Sequence, residues 1–193
     1  MSMAEVVLFH HIHGLTPGVT AFAEALRSAG HTVHTPDLYD GNVFDTIEDG
    51  RAYARQVGFD TLLDKGVAAA GELPADVVYG GFSLGGMPAQ LLAQTRPTRG
   101  ALLFHTSIPP KEFGGPWPAA VPVRVHAMDH DPFFVGDDGD LDAAREIVAA
   151  ATDGELHLYP GDQHLFTDVS LPAYDAEATA LVLRRTLEFL ADK

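Results

Sequence analysis

Short apolar runs bounded by Gly, Pro or Asp alternate along this chain with longer stretches of helical period. Strands are expected at Val6 to Phe9, Thr32 to Thr35, Asp76 to Tyr79, Ala101 to Phe104, Pro122 to Ala127 and Glu155 to Tyr159. Between them the periodicity predicts helices over Val19 to Ala29, Thr46 to Ala70 with a break near Gly58, Ser83 to Thr95 and Leu141 to Ala150. A last helix is predicted from Tyr174 to Leu190. Strands regularly separated by helices imply βα units, hence an α/β fold with a mostly parallel, doubly wound sheet of about six strands. In the last helix Ala180, Leu183, Leu187 and Leu190 recur at spacings of three and four, which predicts an apolar face packed on the sheet.

Composition narrows this picture without redirecting it. The 193 residues suit one domain over 1–193, and 46% apolar with 20% charged residues is the usual globular mixture. A formal charge of -15 repels phosphate backbones and anionic membrane surfaces, so nucleic acid and membrane are not expected partners. Six aspartates crowd one stretch, namely Asp129, Asp131, Asp137, Asp138, Asp140 and Asp142, and most are expected to form a solvated acidic loop and helix start. The chain has no cysteine, which excludes disulfides, thiol nucleophiles and thiolate metal sites. No basic stretch precedes the first apolar run, and no run approaches the ~20 residues that span a bilayer, so a cytoplasmic protein is expected.

The densest chemical signal is Gly81-Phe82-Ser83-Leu84-Gly85, a G-x-S-x-G pattern placed after a predicted strand and at the start of a predicted helix. A serine at such a bend needs a strained backbone, and Gly81, Gly85 and Gly86 supply neighbours without a bulky Cβ. Its hydroxyl is a weak nucleophile unless a base takes the proton and a third group fixes the base's tautomer. In the strand-turn-helix arrangement those partners follow in the order acid, then histidine. His164 lies just past the strand Glu155 to Tyr159, where the base belongs. Asp131 lies just past Pro122 to Ala127, with Pro132 fixing the turn, and Asp129 and Asp162 are the alternative acids. Backbone N–H groups of Leu84 and of the loop His10-His11-Ile12-His13-Gly14, that of Ile12 foremost, are the expected oxyanion donors. The Pro/Gly-rich stretch Ile108 to Pro122 has the length of a functional loop. Its Phe113 and Trp117, together with His11, Phe133 and Phe134, are candidate substrate contacts.

The chain resembles the dienelactone hydrolase family, small α/β-hydrolases without a cap domain. The resemblance spans almost the whole length and rests on Ala29-Gly30-His31-Thr32-Val33, Pro36-Asp37-Leu38-Tyr39, Gly80 to Gly86, Asp131 after its strand, and Tyr159 to Phe166 around His164. It implies a cofactor-free hydrolase of small-molecule esters or lactones with Ser83, Asp131 and His164 as its triad, in a monomer or homodimer. Three positions depart from the namesake enzymes. Ser83 stands where they carry cysteine, His11 where they carry glutamate, and Asp168 where they carry an arginine that grips a substrate carboxylate. An aspartate would repel that carboxylate, so a neutral ester or lactone is expected.

Two other readings compete. His10, His11 and His13, with His126, Asp129 and His130, offer imidazole and carboxylate ligands for a first-row metal, although no ordered spacing such as H-E-x-x-H occurs. A catalytically silent module on the same fold is the other, and it requires Ser83 and His164 to lie beyond hydrogen-bond reach.

Overall fold

A computed structural model of the chain describes residues 3–71, 73–74, 76–136 and 140–193. Its sheet contains β1 (Glu5–Phe9), β2 (Thr32–His34), β3 (Val78–Phe82), β4 (Gly100–Phe104), β5 (Val123–Met128) and β6 (Gly154–Tyr159). Every pairing is parallel, in the order β2-β1-β3-β4-β5-β6. The connecting helices are α1 (Pro17–Ser28), α2 (Ile47–Val57), α3 (Phe59–Ala69), α4 (Gly86–Thr95), a single turn α5 (Pro132–Val135), α6 (Asp140–Ala150) and α7 (Ala176–Leu190).

Alternation along the strands builds two apolar layers. Val7, Phe9, Tyr79, Leu103 and Val125 meet Leu62, Leu92 and Ile147 from α3, α4 and α6 in one layer. Val6, Leu8, Val78, Leu102 and Phe104 meet Phe22 and Leu26 of α1 and Val182 and Phe189 of α7 in the other. Helix ends follow local chemistry: the side chains of Thr16, Thr46 and Asp175 accept the N–H groups that open α1, α2 and α7. Gly58, at φ 93°, breaks the predicted long helix into α2 and α3 at the expected place.

Two boundaries and one buried face differ instructively. β3 begins two residues later than expected and runs to Phe82, because Gly80 and Gly81 pair in register with Leu8 and Phe9 on one side and Leu102 and Leu103 on the other. The predicted helix from Ser83 starts as a 3-10 turn over Ser83–Gly85 and becomes α-helical only at Gly86. In α7 the buried stripe is Ala178, Val182, Phe189 and Leu190, whereas Ala180 is exposed and Leu183 and Leu187 are half-buried at the edge. Apolar residues sit on more than one side of that helix, so the periodicity alone admitted two orientations.

The chain runs from β1 out to β2 and then returns past β1 to β3. That reversal opens a crevice at the carboxyl ends of β1 and β3, which is where open α/β sheets place their sites. The loop 10–14 leaves β1 at this crevice, and Ser83 leaves β3.

Candidate active site

Ser83 adopts φ 46°, a left-handed conformation that an L-residue takes up only at a cost, immediately after the fully buried β3. The neighbouring glycines make this possible sterically. A Cβ on Gly81 would lie 2.0 Å from the carbonyl oxygen of Gly85, and one on Gly86 would lie 2.2 Å from Cγ2 of Thr106. A Cβ on Gly85 would stand 2.5 Å from the carbonyl oxygen of Phe9 and 2.6 Å from that of His10. These last atoms are backbone at the end of β1 and cannot rotate away. Gly85→Ala is therefore expected to destabilise the chain by about 1–3 kcal/mol and to displace the bend, measured as a lower urea midpoint together with reduced turnover.

Three side chains from distant parts of the chain converge at this bend. His164 Nε2 lies 3.0 Å from Ser83 Oγ, and His164 Nδ1 lies 2.6 Å from Asp131 Oδ2. Asp131 is fully buried, and its Oδ1 accepts the Phe133 N–H at 2.9 Å, so the carboxylate is held by the turn of α5 that it caps. The other two acids have different work. Asp129 accepts the Gly161 N–H at 3.0 Å and pairs with the exposed His130 at 2.7 Å, and Asp162 bonds its neighbour Gln163 at 2.7 Å. A Ser83–His164 contact of 3.0 Å also removes the separation that a silent module required.

The cleft above Ser83 has a volume of about 290 Å³ and is walled by Ile12, Ile47, Leu84, Met87, Ile108 and Phe133. Phe133, 45% exposed, packs over the His164 ring at 4.7 Å between centroids, so it belongs to the cleft. Other expected contacts lie elsewhere. Trp117 is buried in the core with its Nε1–H donated to the Val121 carbonyl at 2.9 Å, and Phe134 is wholly buried. Phe113 sits half-buried in a 3-10 turn of the 108–122 loop and is not among the residues that line the cleft. Gln90 and Gln94 of α4 pin that loop through Ile108, Pro110 and Gly115, and only Ile108 of the loop reaches the cleft.

His11 is also a correction. It is buried at 1% exposure and bonded through Nε2 to Asp168, so it touches structure and not substrate space. Asp168, at 2% exposure, likewise turns away from the cleft, and the expected repulsion of an anionic substrate loses its basis. Arg51, which does line the cleft, places its guanidinium 5.9 Å from the Phe133 ring centre.

The histidines proposed as metal ligands are committed to backbone and side-chain partners. His10 Nδ1 donates to the His11 carbonyl and its Nε2 accepts the Leu38 N–H. His11 Nδ1 accepts the His13 N–H, and His13 Nδ1 donates to the Phe44 carbonyl. His126 Nδ1 meets the Tyr159 hydroxyl at 2.9 Å, while its buried Nε2 has no hydrogen-bond partner among the described residues. Among the described residues no cluster of three or more such side chains has the disposition of a metal site. Of the acidic stretch, Asp137 and Asp138 lie outside the described residues, while Asp142 is exposed and Asp140 lines the cleft. Burial pushes the Asp140 carboxyl up to about 6, against hydrogen bonds from Ser107 N–H and the Thr106 hydroxyl.

Sequence reasoning missed Asp140, Thr106 and His105 as cleft residues. His105 and Thr106 directly follow β4, so the rule that sites gather at strand carboxyl ends could have found them. His105 adopts φ 61°, bonds Thr167 Oγ1 through Nε2 at 2.9 Å and meets the His164 ring edge-on at 5.7 Å.

Buried imidazoles make stability pH-dependent. Burial holds His10 down at about 4 against its usual 6.5, and it also lowers His11, with His105 and His126 held far lower. Between pH 6.5 and 4 the unfolded chain binds protons that the folded chain refuses, so stability falls as pH drops. His10 alone accounts for about 3 kcal/mol across that window. Asp140 acts with the opposite sign, since below about 6 its folded carboxyl takes a proton that the unfolded one does not. The expected outcome is a urea midpoint clearly lower at pH 5 than at pH 7; an unchanged midpoint would contradict the neutral burial of these rings.

Residues 2–193 match the model of the dienelactone hydrolase family. The chain belongs to the dienelactone hydrolase family. Membership makes it a hydrolase of the carboxylic-ester class. A protein of Klebsiella pneumoniae subsp. pneumoniae described as a dienelactone hydrolase is 19% identical, with 99% of this chain and 88% of that one covered and a TM-score of 0.75. A dienelactone hydrolase-like promiscuous phosphotriesterase, P91, from metagenomic libraries is 22% identical, with 98% and 86% covered and a TM-score of 0.69. An α/β-superfamily hydrolase of Xanthomonas campestris pv. campestris is 24% identical, with each chain covered in full and a TM-score of 0.63. These likenesses establish the α/β-hydrolase fold. No curated protein matches the chain. In this family member no helix among the described residues is long and apolar enough to cross a membrane.

Proposed function

We propose that this member of the family hydrolyses small carboxylic esters or lactones through an acyl-enzyme on Ser83. The observation that carries the reading is the line of two hydrogen bonds, Ser83 to His164 at 3.0 Å and His164 to Asp131 at 2.6 Å, at the crevice between β1 and β3. His164 Nε2 takes the hydroxyl proton as Ser83 Oγ attacks the carbonyl carbon, and Asp131 fixes the tautomer and stabilises the imidazolium. The carbonyl oxygen gains the negative charge, and the N–H groups of Ile12 and Leu84 receive it. Ile12 N–H has no acceptor among the described residues, and Leu84 N–H precedes the first bond of its 3-10 turn. Collapse expels the alcohol, which leaves with the proton from His164. Water then attacks the ester on Ser83 with His164 again as base, releasing the acid and restoring the hydroxyl.

The volume and the apolar walls of the cleft suit a short acyl group. Hydrolysis of p-nitrophenyl esters of graded acyl length tests the reading. The expected result is turnover with kcat/KM highest for short acyl chains and unaffected by chelators. Absence of turnover for every ester and lactone tried would defeat it.

A further inference from the structure

Asp168 lies four residues after His164, in the same loop, and its carboxylate is saturated with donors. Oδ2 accepts from His11 Nε2 at 2.7 Å and from the Thr16 hydroxyl, while Oδ1 accepts the Ser170 N–H at 2.8 Å and the Ser170 hydroxyl at 2.6 Å. It packs flush on the first turn of α1, where a Cβ on Gly18 would fall 1.6 Å from Oδ1. Burial works against the charge, yet hydrogen bonds from His11, Ser170 and Thr16 outweigh it and keep Asp168 ionised below the usual carboxylate range. Burial meanwhile lowers His11 from its usual range, against the hydrogen bond and attraction of Asp168.

The other nitrogen of His11 faces its own loop. Nδ1 accepts the His13 N–H at 3.2 Å, which fixes the proton on Nε2, and the His11 carbonyl accepts the Gly14 N–H at 3.0 Å. Ile12 is thus held between two residues anchored by one ring. The far end of that ring is bonded to the loop that carries His164.

We propose that His11 and Asp168 form a positioning pair that sets the Ile12 N–H relative to His164, so that oxyanion donor and base arrive in register. The proposal rests on the ester-hydrolase reading above. Neither side chain meets the substrate; both act through Ile12 and His164. A pair of this kind matters most in the transition state, where a shift of about 1 Å costs on the order of 100-fold. Substrate affinity in the ground state gains little from it.

The test is a cycle of His11→Gln, Asp168→Asn and the double variant, with Asp168→Ala alongside. Each is assayed for kcat and KM on a short ester, for inhibition by a trifluoromethyl ketone that mimics the tetrahedral state, and for thermal melting. The expected result is a kcat loss of about 10- to 100-fold in each single variant with KM within about twofold. Ketone affinity should fall in step with kcat/KM, and the double variant should be no worse than the poorer single one. Melting confirms that each assayed variant is folded, and Asp168→Asn keeps the shape and one acceptor if Asp168→Ala does not fold. Unchanged kcat and ketone affinity in folded variants, or losses that multiply in the double variant, would overturn the pairing while leaving native ester turnover standing. A native chain that turns over no ester would remove both readings together.

Discussion

Ser83→Ala is expected to abolish ester turnover for practical purposes, lowering kcat by roughly 10⁴- to 10⁶-fold while leaving the fold intact. The size follows from the proposed mechanism, in which no acyl-enzyme forms without the hydroxyl and His164 and Asp131 lose the group they would activate. The residual rate comes from oxyanion stabilisation and binding alone, because removal of one member makes a cooperative triad fail as a unit. Alanine also relieves nothing at the bend, since Gly81, Gly85 and Gly86 still dictate its path. Steady-state kinetics on the native chain's best ester, with circular dichroism to verify folding, measures this directly.

The second large effect separates two neighbouring acids. Asp131→Asn is expected to lower kcat by about 10⁴-fold, because the amide can present N–H to His164 Nδ1 and favour the wrong tautomer. Asp129→Asn should keep most activity. Asp129 faces Gly161 N–H and the exposed His130, so its loss slackens the contact between the β5 and β6 ends without touching His164. Equal losses in the two variants would mean that Asp131 does not orient the base.

These two acids also show how far the residues could be read unaided. Asp129 and Asp131 both follow β5 closely, and their spacing left the choice open until the turn of α5 placed one carboxylate against His164. The elbow was legible because Gly81, Ser83 and Gly85 carry local backbone demands that any sequence must meet at such a bend. Strand and helix alternation was legible for the same reason: burial on a sheet imposes its period on each segment separately.

What escaped was long-range. Trp117 and Phe113 looked like cleft residues because they lie in a long Pro/Gly-rich loop, but Gln90 and Gln94 tie that loop to α4 and turn Trp117 into the core. The cluster of histidines after β1 looked like ligands because imidazole binds metals. Their partners, Leu38, Phe44 and Asp168, come from elsewhere in the chain and give them backbone-pinning work. Asp168 itself, judged by its charge alone, pointed to substrate repulsion, and only its burial against His11 and Thr16 shows where that charge is used.

Treatment with a serine-directed fluorophosphonate, followed by intact mass and peptide mapping, bears most directly on whether Ser83 is the nucleophile. A single adduct on the peptide bearing Ser83, lost in Ser83→Ala, is the predicted result. An unmodified folded protein, or an adduct on any other residue, would contradict the account.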